Sequence, residues 1–278
     1  MTTNISNQLA DQTQWIQSSQ IAHIKSLKMI SSLPSSTSSL EFCRSLRNRR
    51  RAPALIDLGE ISKLERWHKS QNTSSTLIAQ ARGLRTSATD FAIDYVELLR
   101  DNNTPVIWLL PDTNIFEEKN YSLSDVILVL VMQILELNPR VLVEGSFPVS
   151  INHFQDIEAQ QAESEEDSFI LLARCLECIS QLYILVDMSL INAIVGYKST
   201  RAVAFIKRLQ EIITSKKNGG VKLVLASWKS ASDQTFGDNN PQIYVDGPLG
   251  GHSKQKQGRS NRMLSIGRTT LRRSLYSV

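Results

Sequence analysis

The sequence predicts an α/β fold: a parallel sheet covered by helices on both faces, with a helical region before it and a basic tail after it. Three observations carry this. Short apolar runs without polar alternation, such as PVIWLL at 105–110 and LYILV at 182–186, read as strands buried on both faces. Stretches of helical period lie between them, and parallel strands need such crossovers. The composition, 41% hydrophobic and 21% charged over 278 residues, is that of an ordinary globular chain.

Taken in order, residues 1–33 read as a helix, because Trp15, Ile21, Ile24, Leu27 and Ile30 recur at helical steps. The stretch SSLPSSTSSL at 31–40 lacks apolar period and reads as a linker. A basic run, RSLRNRRR, carries Arg44, Arg47, Arg49, Arg50 and Arg51. It is either a nuclear signal or phosphate contact, or a solvated helix face before Pro53. Residues 1–72 thus form one helical region. From residue 73 strands and helices alternate. The expected strands are Thr76–Ala79, Pro105–Leu110, Leu182–Val186, Val221–Ala226 and Ile243–Val245. The expected helices are Ser87–Arg100, Ser122–Leu137, Ser168–Ser180 and Thr200–Thr214, with 155–167 an exposed loop or helix start. This domain spans 73–248. Residues 249–278 lack apolar period and read as a disordered tail.

Charge is unevenly spread. Residues 251–278 hold seven basic residues and no acid, so the net +4 of the chain becomes −3 without them. Such a tail either touches nucleic acid or anionic lipid, or is simply solvated. Cys43, Cys175 and Cys178 are too few for a disulfide scaffold and suit the cytoplasm. The CxxC of Cys175 and Cys178 falls in a helical pattern, which favours two small apolar side chains over a metal or redox pair. The longest apolar run, Val126–Leu137, is too short for a membrane span of about twenty residues. The polar N-terminus lacks a secretory pattern. No two histidines have metal-ligand spacing, and neither GxSxG nor GxGxxG occurs, so hydrolase and dinucleotide chemistry find no support.

In doubly wound sheets ligands bind beyond the carboxyl ends of the strands. After TLIA comes QARGLRTS, which opens a helix; after LYILV comes Asp187; after VKLVLA comes Ser227. A strand, a short loop, a basic residue, a hydroxyl and a helix make a phosphate-binding layout. A later strand ending in aspartate adds a magnesium contact. The candidate positions are Gly83, Arg85, Thr86 and Ser87 for nucleotide, and Thr86 with Asp187 for magnesium. The plainer alternative makes Thr86 or Ser87 a helix N-cap and Asp187 the cap of the next helix.

The segments TLIAQARGLRTSATDFAIDYVELL, TPVIWLLP, LYILVD and VKLVLASW together resemble the degenerate NACHT-like P-loop NTPase domains of fungal multidomain proteins, which belong to the STAND class of signalling ATPases. The resemblance covers about 73–245. It implies a three-layer P-loop NTPase-like sheet, ATP or ADP with Mg²⁺ as ligand, and oligomers formed through protein partners. The departures are large. Laid on Ala79–Thr86, the pattern GxxxxGK[ST] has Ala79 and Leu84 at its glycines and Arg85 at its lysine; only Thr86 fits. Asp187 matches the Walker B aspartate, but no carboxylate follows it among residues 188–192. The resemblance therefore implies a regulatory or scaffold domain that hydrolyses ATP weakly or not at all. The alternatives are a nucleotide-binding switch using Arg85, Thr86 and Asp187, and a nucleic-acid adaptor using the tail.

Overall fold

The computed structural model describes residues 2–49, 55–70, 74–112, 121–143, 149–159, 165–196, 199–216, 219–228, 240–247, 263–265 and 275. The chain divides into two compact units. One comprises residues 36–120 and 181–278, and the other residues 1–35 and 121–180. This differs from the linear division expected from sequence: the segment 36–70 belongs to the sheet unit, and the N-terminal helix groups with 121–180.

Among the described residues the sheet unit has seven strands: β1 (Leu55–Asp57), β2 (Ser75–Arg82), β3 (Val106–Leu109), β4 (Gln181–Asp187), β5 (Gly220–Ser227), β6 (Gln242–Asp246) and β7 (Met263–Ser265). Their order across the sheet is β3-β4-β5-β2-β6-β1-β7. The first five are mutually parallel and are the five strands expected from sequence. β1 runs antiparallel to both its neighbours. The strands before the crossovers are almost wholly apolar because both faces are covered. All eight residues of β5 are buried.

Connection handedness places the helices. From β2 the chain passes through α5 (Thr86–Asp101) to β3 at one edge. From β4 it moves the opposite way through α9 (Met188–Val195) and α10 (Thr200–Ser215) to β5. Right-handed crossovers of opposite direction put their helices on opposite faces. The alternating side chains agree. Leu77, Ala79, Tyr183, Leu185 and Val224 share a core with Phe91 and Tyr95 of α5. Thr76, of the other parity, accepts a hydrogen bond from Gln210 of α10.

Two further helices cover the α5 face. These are α3 (Ser36–Asn48), which contributes Leu40 and Cys43, and α4 (Leu58–Lys69), which contributes Ile61, Leu64 and Trp67. The Ser-rich linker expected at 31–40 is thus helical from Ser36, and its Leu40 is core. Serine is tolerated there because Ser39 returns its hydroxyl to the Ser36 carbonyl. Two arginines of the basic run make ion pairs with α5. Arg44 Nε donates to Glu97 Oε1 at 2.5 Å, and Arg47 pairs with Asp94, whose side chain is buried. α3 therefore docks on α5 through ion pairs as well as apolar contact. Arg50 and Arg51 lie outside the described residues.

The other unit is helical. It contains α1 (Thr2–Ser26), α2 (Lys28–Ser31), α6 (Leu123–Leu137), a 3-10 turn (Pro139–Leu142), α7 (Ile151–Ala159) and α8 (Glu165–Glu177). The expected 122–137 helix begins where its sequence dictates. Ser122 and Asp125 form a capping box, each side chain accepting from the other's backbone N–H. α6 packs along α8, where Ser124 and Ser168 share a 2.5 Å hydrogen bond. The stretch at 155–167 is helical over 155–159 and again from Glu165. Cys175 is buried on α8 and burial pushes its thiol well up, which suits a packed apolar side chain. On α1, Trp15 is 72% exposed and Ile16 lies open beside it. No helix among the described residues is long and apolar enough to cross a membrane.

The tail departs from expectation in two places. Residues 263–265 form β7, and Leu275 is buried in the sheet unit's core. The rest of 248–278 lies outside the described residues.

Candidate functional site

The carboxyl ends of the five parallel strands gather Arg82, Asp112, Asp187, Ser227 and Asp246 at one end of the sheet. This is where a doubly wound sheet offers a ligand crevice.

β2 continues three residues further than its apolar run suggested, through Gln80, Ala81 and Arg82. Pairing explains the extension: Gln80 to Arg82 bond in register to Tyr244–Asp246 of β6. Only Gly83, Leu84 and Arg85 then connect β2 to α5. Gly83 takes φ +94°, a turn conformation that favours glycine. The turn is closed from above by the end of β6. The Gly247 N–H donates to the Arg82 carbonyl at 3.0 Å, and a Cβ at Gly247 would stand 3.1 Å from the Leu84 nitrogen. Leu84 itself is half-exposed.

The four predicted nucleotide positions are thereby placed. Gly83 makes the turn. Arg85 is the residue before α5 and already has helical dihedrals, with no side-chain cap. Its guanidinium lies 6.0 Å from the Trp228 ring. Thr86 and Ser87 are the first residues of α5. Ser87 is buried, and its hydroxyl lacks a hydrogen-bond partner among the described residues.

Asp187 is 1% exposed at the end of β4. Its Oδ1 accepts the Ser189 N–H at 2.8 Å and so caps α9. Its Oδ2 accepts the hydroxyl of Thr89 at 2.6 Å. Burial pushes its carboxyl above the usual aspartate range, opposed by the bonds from Thr89 and Ser189 and by the charge of Arg85.

Thr89 was missed by sequence reasoning, which placed the magnesium hydroxyl at Thr86. A frame ending at Thr89 runs from Arg82, and it sets Arg82 and Ser87 at the glycine positions and Ala88 at the lysine. That frame matches the signature less well than Ala79–Thr86, so the pattern could not find it. Only the strand end and helix start reveal it.

The β2–α5 turn departs from the layout of a phosphate cradle. A phosphate cradle uses an eight-residue loop whose N–H groups face the ligand; here the turn has three residues and β6 closes on it. The strand-end carboxylate, Asp187, is buried and accepts one hydrogen bond on each oxygen, from Thr89 and Ser189. Among the described residues no three His, Cys, Asp or Glu gather as metal ligands.

A second polar cluster lies toward the other end of the strands. Lys222 Nζ donates to the Trp67 and His68 carbonyls and to Ser70 Oγ, at the C-terminus of α4. The cation meets the negative end of that helix. Burial pushes Lys222 down to about 8. His68 Nδ1 meets the hydroxyls of Tyr95 at 3.0 Å and Tyr183 at 3.1 Å. Burial, with the charges of Lys222 and Lys69, pushes His68 down to about 4.

No family model matches the sequence, and no curated protein matches it. Among solved structures, it is similar to the Aeropyrum pernix ORC2 protein in ADPNP–ADP complexes, at 15% identity and a TM-score of 0.36. The similarity covers 73% of this chain and 51% of that one, so the chain spans about half that structure's length. Identity and superposition at this level transfer no function from one chain to the other.

Proposed function

We propose that this chain is a P-loop NTPase-like regulatory or scaffold domain of the NACHT-like kind, in a three-layer arrangement, that works through protein partners rather than hydrolysis. One observation supports the reading above others. The aspartate that would serve magnesium is held inside the fold, by Thr89 and by the Ser189 amide in the first turn of α9. Hydrolysis depends on positioned charge at the phosphates. A three-residue turn without lysine supplies little of it. The resemblance to STAND domains of fungal proteins supports the signalling context, and the low cysteine count and the basic run support a cytoplasmic or nuclear setting. The exposed Trp15 and Ile16 on α1 are of the type that protein partners cover.

The test is calorimetric titration with Mg-ATP and Mg-ADP, beside a phosphate-release assay. The expected result is no saturable heat up to millimolar nucleotide, and turnover well below about one per second. Saturable binding lost in Arg85→Ala and Asp187→Ala would replace this reading with the nucleotide switch.

A further inference from the structure

The last turn of α4 is fastened by side chains from β5, α5 and β4. Lys222 of β5 donates to the Trp67 and His68 carbonyls and to Ser70 Oγ. His68 Nδ1 meets the hydroxyls of Tyr95 on α5 and Tyr183 on β4. The His68 ring stacks on Tyr183 with centroids 5.5 Å apart, and Trp67 meets the same tyrosine edge-on at 6.1 Å. Tyr95 and Tyr183 are buried, and this turn packs directly on Tyr183.

This fastening depends on a neutral ring. A neutral Nδ1 accepts a tyrosine hydroxyl, whereas a protonated ring carries hydrogen on both nitrogens and accepts from neither. The charged neighbours are Lys222 from β5 and Lys69 on α4 itself, and both oppose an imidazolium. Glu65, one turn back, pairs with Lys69 at 2.8 Å. A helix C-terminus favours a cation, but Lys222 already occupies these carbonyls. The opening is local because of where α4 sits. It packs on β1 and β6, whereas β2, β4 and β5 pair with one another through their own backbones. Elements held mainly by side chains at a margin open below the cost of global unfolding.

We propose that the last turn of α4 is an acid-operated latch: protonation of His68 releases residues 64–70 from Tyr95 and Tyr183 while the central strands stay paired. The release uncovers an aromatic face made of Trp67, Tyr95 and Tyr183. Burial and the two lysines hold His68 near 4 in the closed state, against 6.5 when free. The open state therefore binds the proton more tightly, and opening gains up to about tenfold for each pH unit of acidification between those values. The inference is independent of nucleotide, because none of these residues lies at the β2–α5 turn.

The experiment is amide exchange on the full chain from about pH 7 to about pH 4.5, spanning most of that window. Rates are expressed as protection factors, corrected for the intrinsic pH dependence of exchange. They are read at residues 64–69, with 92–99 of α5 and 221–226 of β5 as internal references. In the wild type, protection at 64–69 is expected to fall by about tenfold or more while both references hold. In His68→Gln, which cannot titrate there, protection at 64–69 should stay level. If that variant fails to fold, Tyr95→Phe and Tyr183→Phe replace it. Each is expected to lower protection at 64–69 at neutral pH and to shrink its further fall in acid. Equal falls in wild type and His68→Gln, or tyrosine variants that behave as wild type, would overturn the assignment to His68. Protection at 64–69 that holds throughout, or a fall shared by all three segments, would overturn the latch.

Discussion

Thr89 Oγ1 donates to Asp187 Oδ2 at 2.6 Å, joining the first turn of α5 to the end of β4. The same carboxylate caps α9 through the Ser189 N–H. One buried side chain thus ties helices on opposite faces of the sheet to a central strand. Removing Asp187 strands the Thr89 hydroxyl and uncaps α9. Asp187→Ala is expected to cost about 2–4 kcal/mol, summing about 1–3 for the buried bond and about 1 for the cap. Asp187→Asn is expected to cost less, because its amide oxygen still accepts from Ser189 and its amide nitrogen donates to Thr89. In urea unfolding, Thr89→Val and Asp187→Ala should couple by about 0.5–3 kcal/mol. Strict additivity would refute the contact.

The same residue sets a pH dependence. Its folded-state carboxyl is raised above the ordinary 3.8 by burial. The folded state therefore binds the proton more tightly than the unfolded state. Its contribution to stability is full below 3.8 and is lost as pH rises through the folded-state value. The stability difference between wild type and Asp187→Asn should change over that window and level off above it. A difference that stays constant with pH would mean that the carboxyl ionises as freely in the fold as outside it.

Much of this sheet was legible in the sequence, for a physical reason. The five parallel strands are buried on both faces, so their apolar runs are continuous and distinctive. The edge strands are different. β1 is the tripeptide LID after a proline, and β7 is MLS inside a basic stretch. Neither has a period to read, and only pairing between residues two hundred apart in sequence makes them strands. α4 falls within the helical region expected over 1–72, with Ile61, Leu64 and Trp67 at helical spacing, but its place against the sheet is set by tertiary packing. The site was partly legible. Asp187 stands where expected, but Thr89 is recognised only through the carboxylate it meets. The short turn at Gly83 depends on β2 extending along β6, which no local pattern encodes.

The arginines of the basic run are expected to stabilise the fold rather than address it. Arg47 faces the buried Asp94, and Arg44 faces Glu97. Removing one partner of a buried pair leaves an uncompensated charge, typically costing about 3–5 kcal/mol. Arg47→Ala should therefore unfold at markedly lower urea, and Arg44→Ala by a smaller amount, since Arg44 is more exposed. Arg47→Ala with Asp94→Ala should recover part of the loss. Equal midpoints for wild type and Arg47→Ala would return the run to a role at the surface.

The cluster at the end of α4 carries an acid-sensitive group. His68 is held near 4 by burial and by neighbouring lysines, against 6.5 when free. The folded state excludes its proton, so its contribution is present above 6.5 and is lost as pH falls toward 4. Tyr95 and Tyr183 meet Nδ1, Lys69 is the next residue, and Lys222 reaches the same helix end. An imidazolium would thus face one cation on its own helix and another from β5. His68→Gln keeps a polar group without the titration. Wild type should lose stability relative to this variant between pH 6.5 and 4, and the nitrogen shifts of His68 should remain those of a neutral ring at pH 6. A ring that titrates at its ordinary value would place His68 in solvent and remove the acid limb.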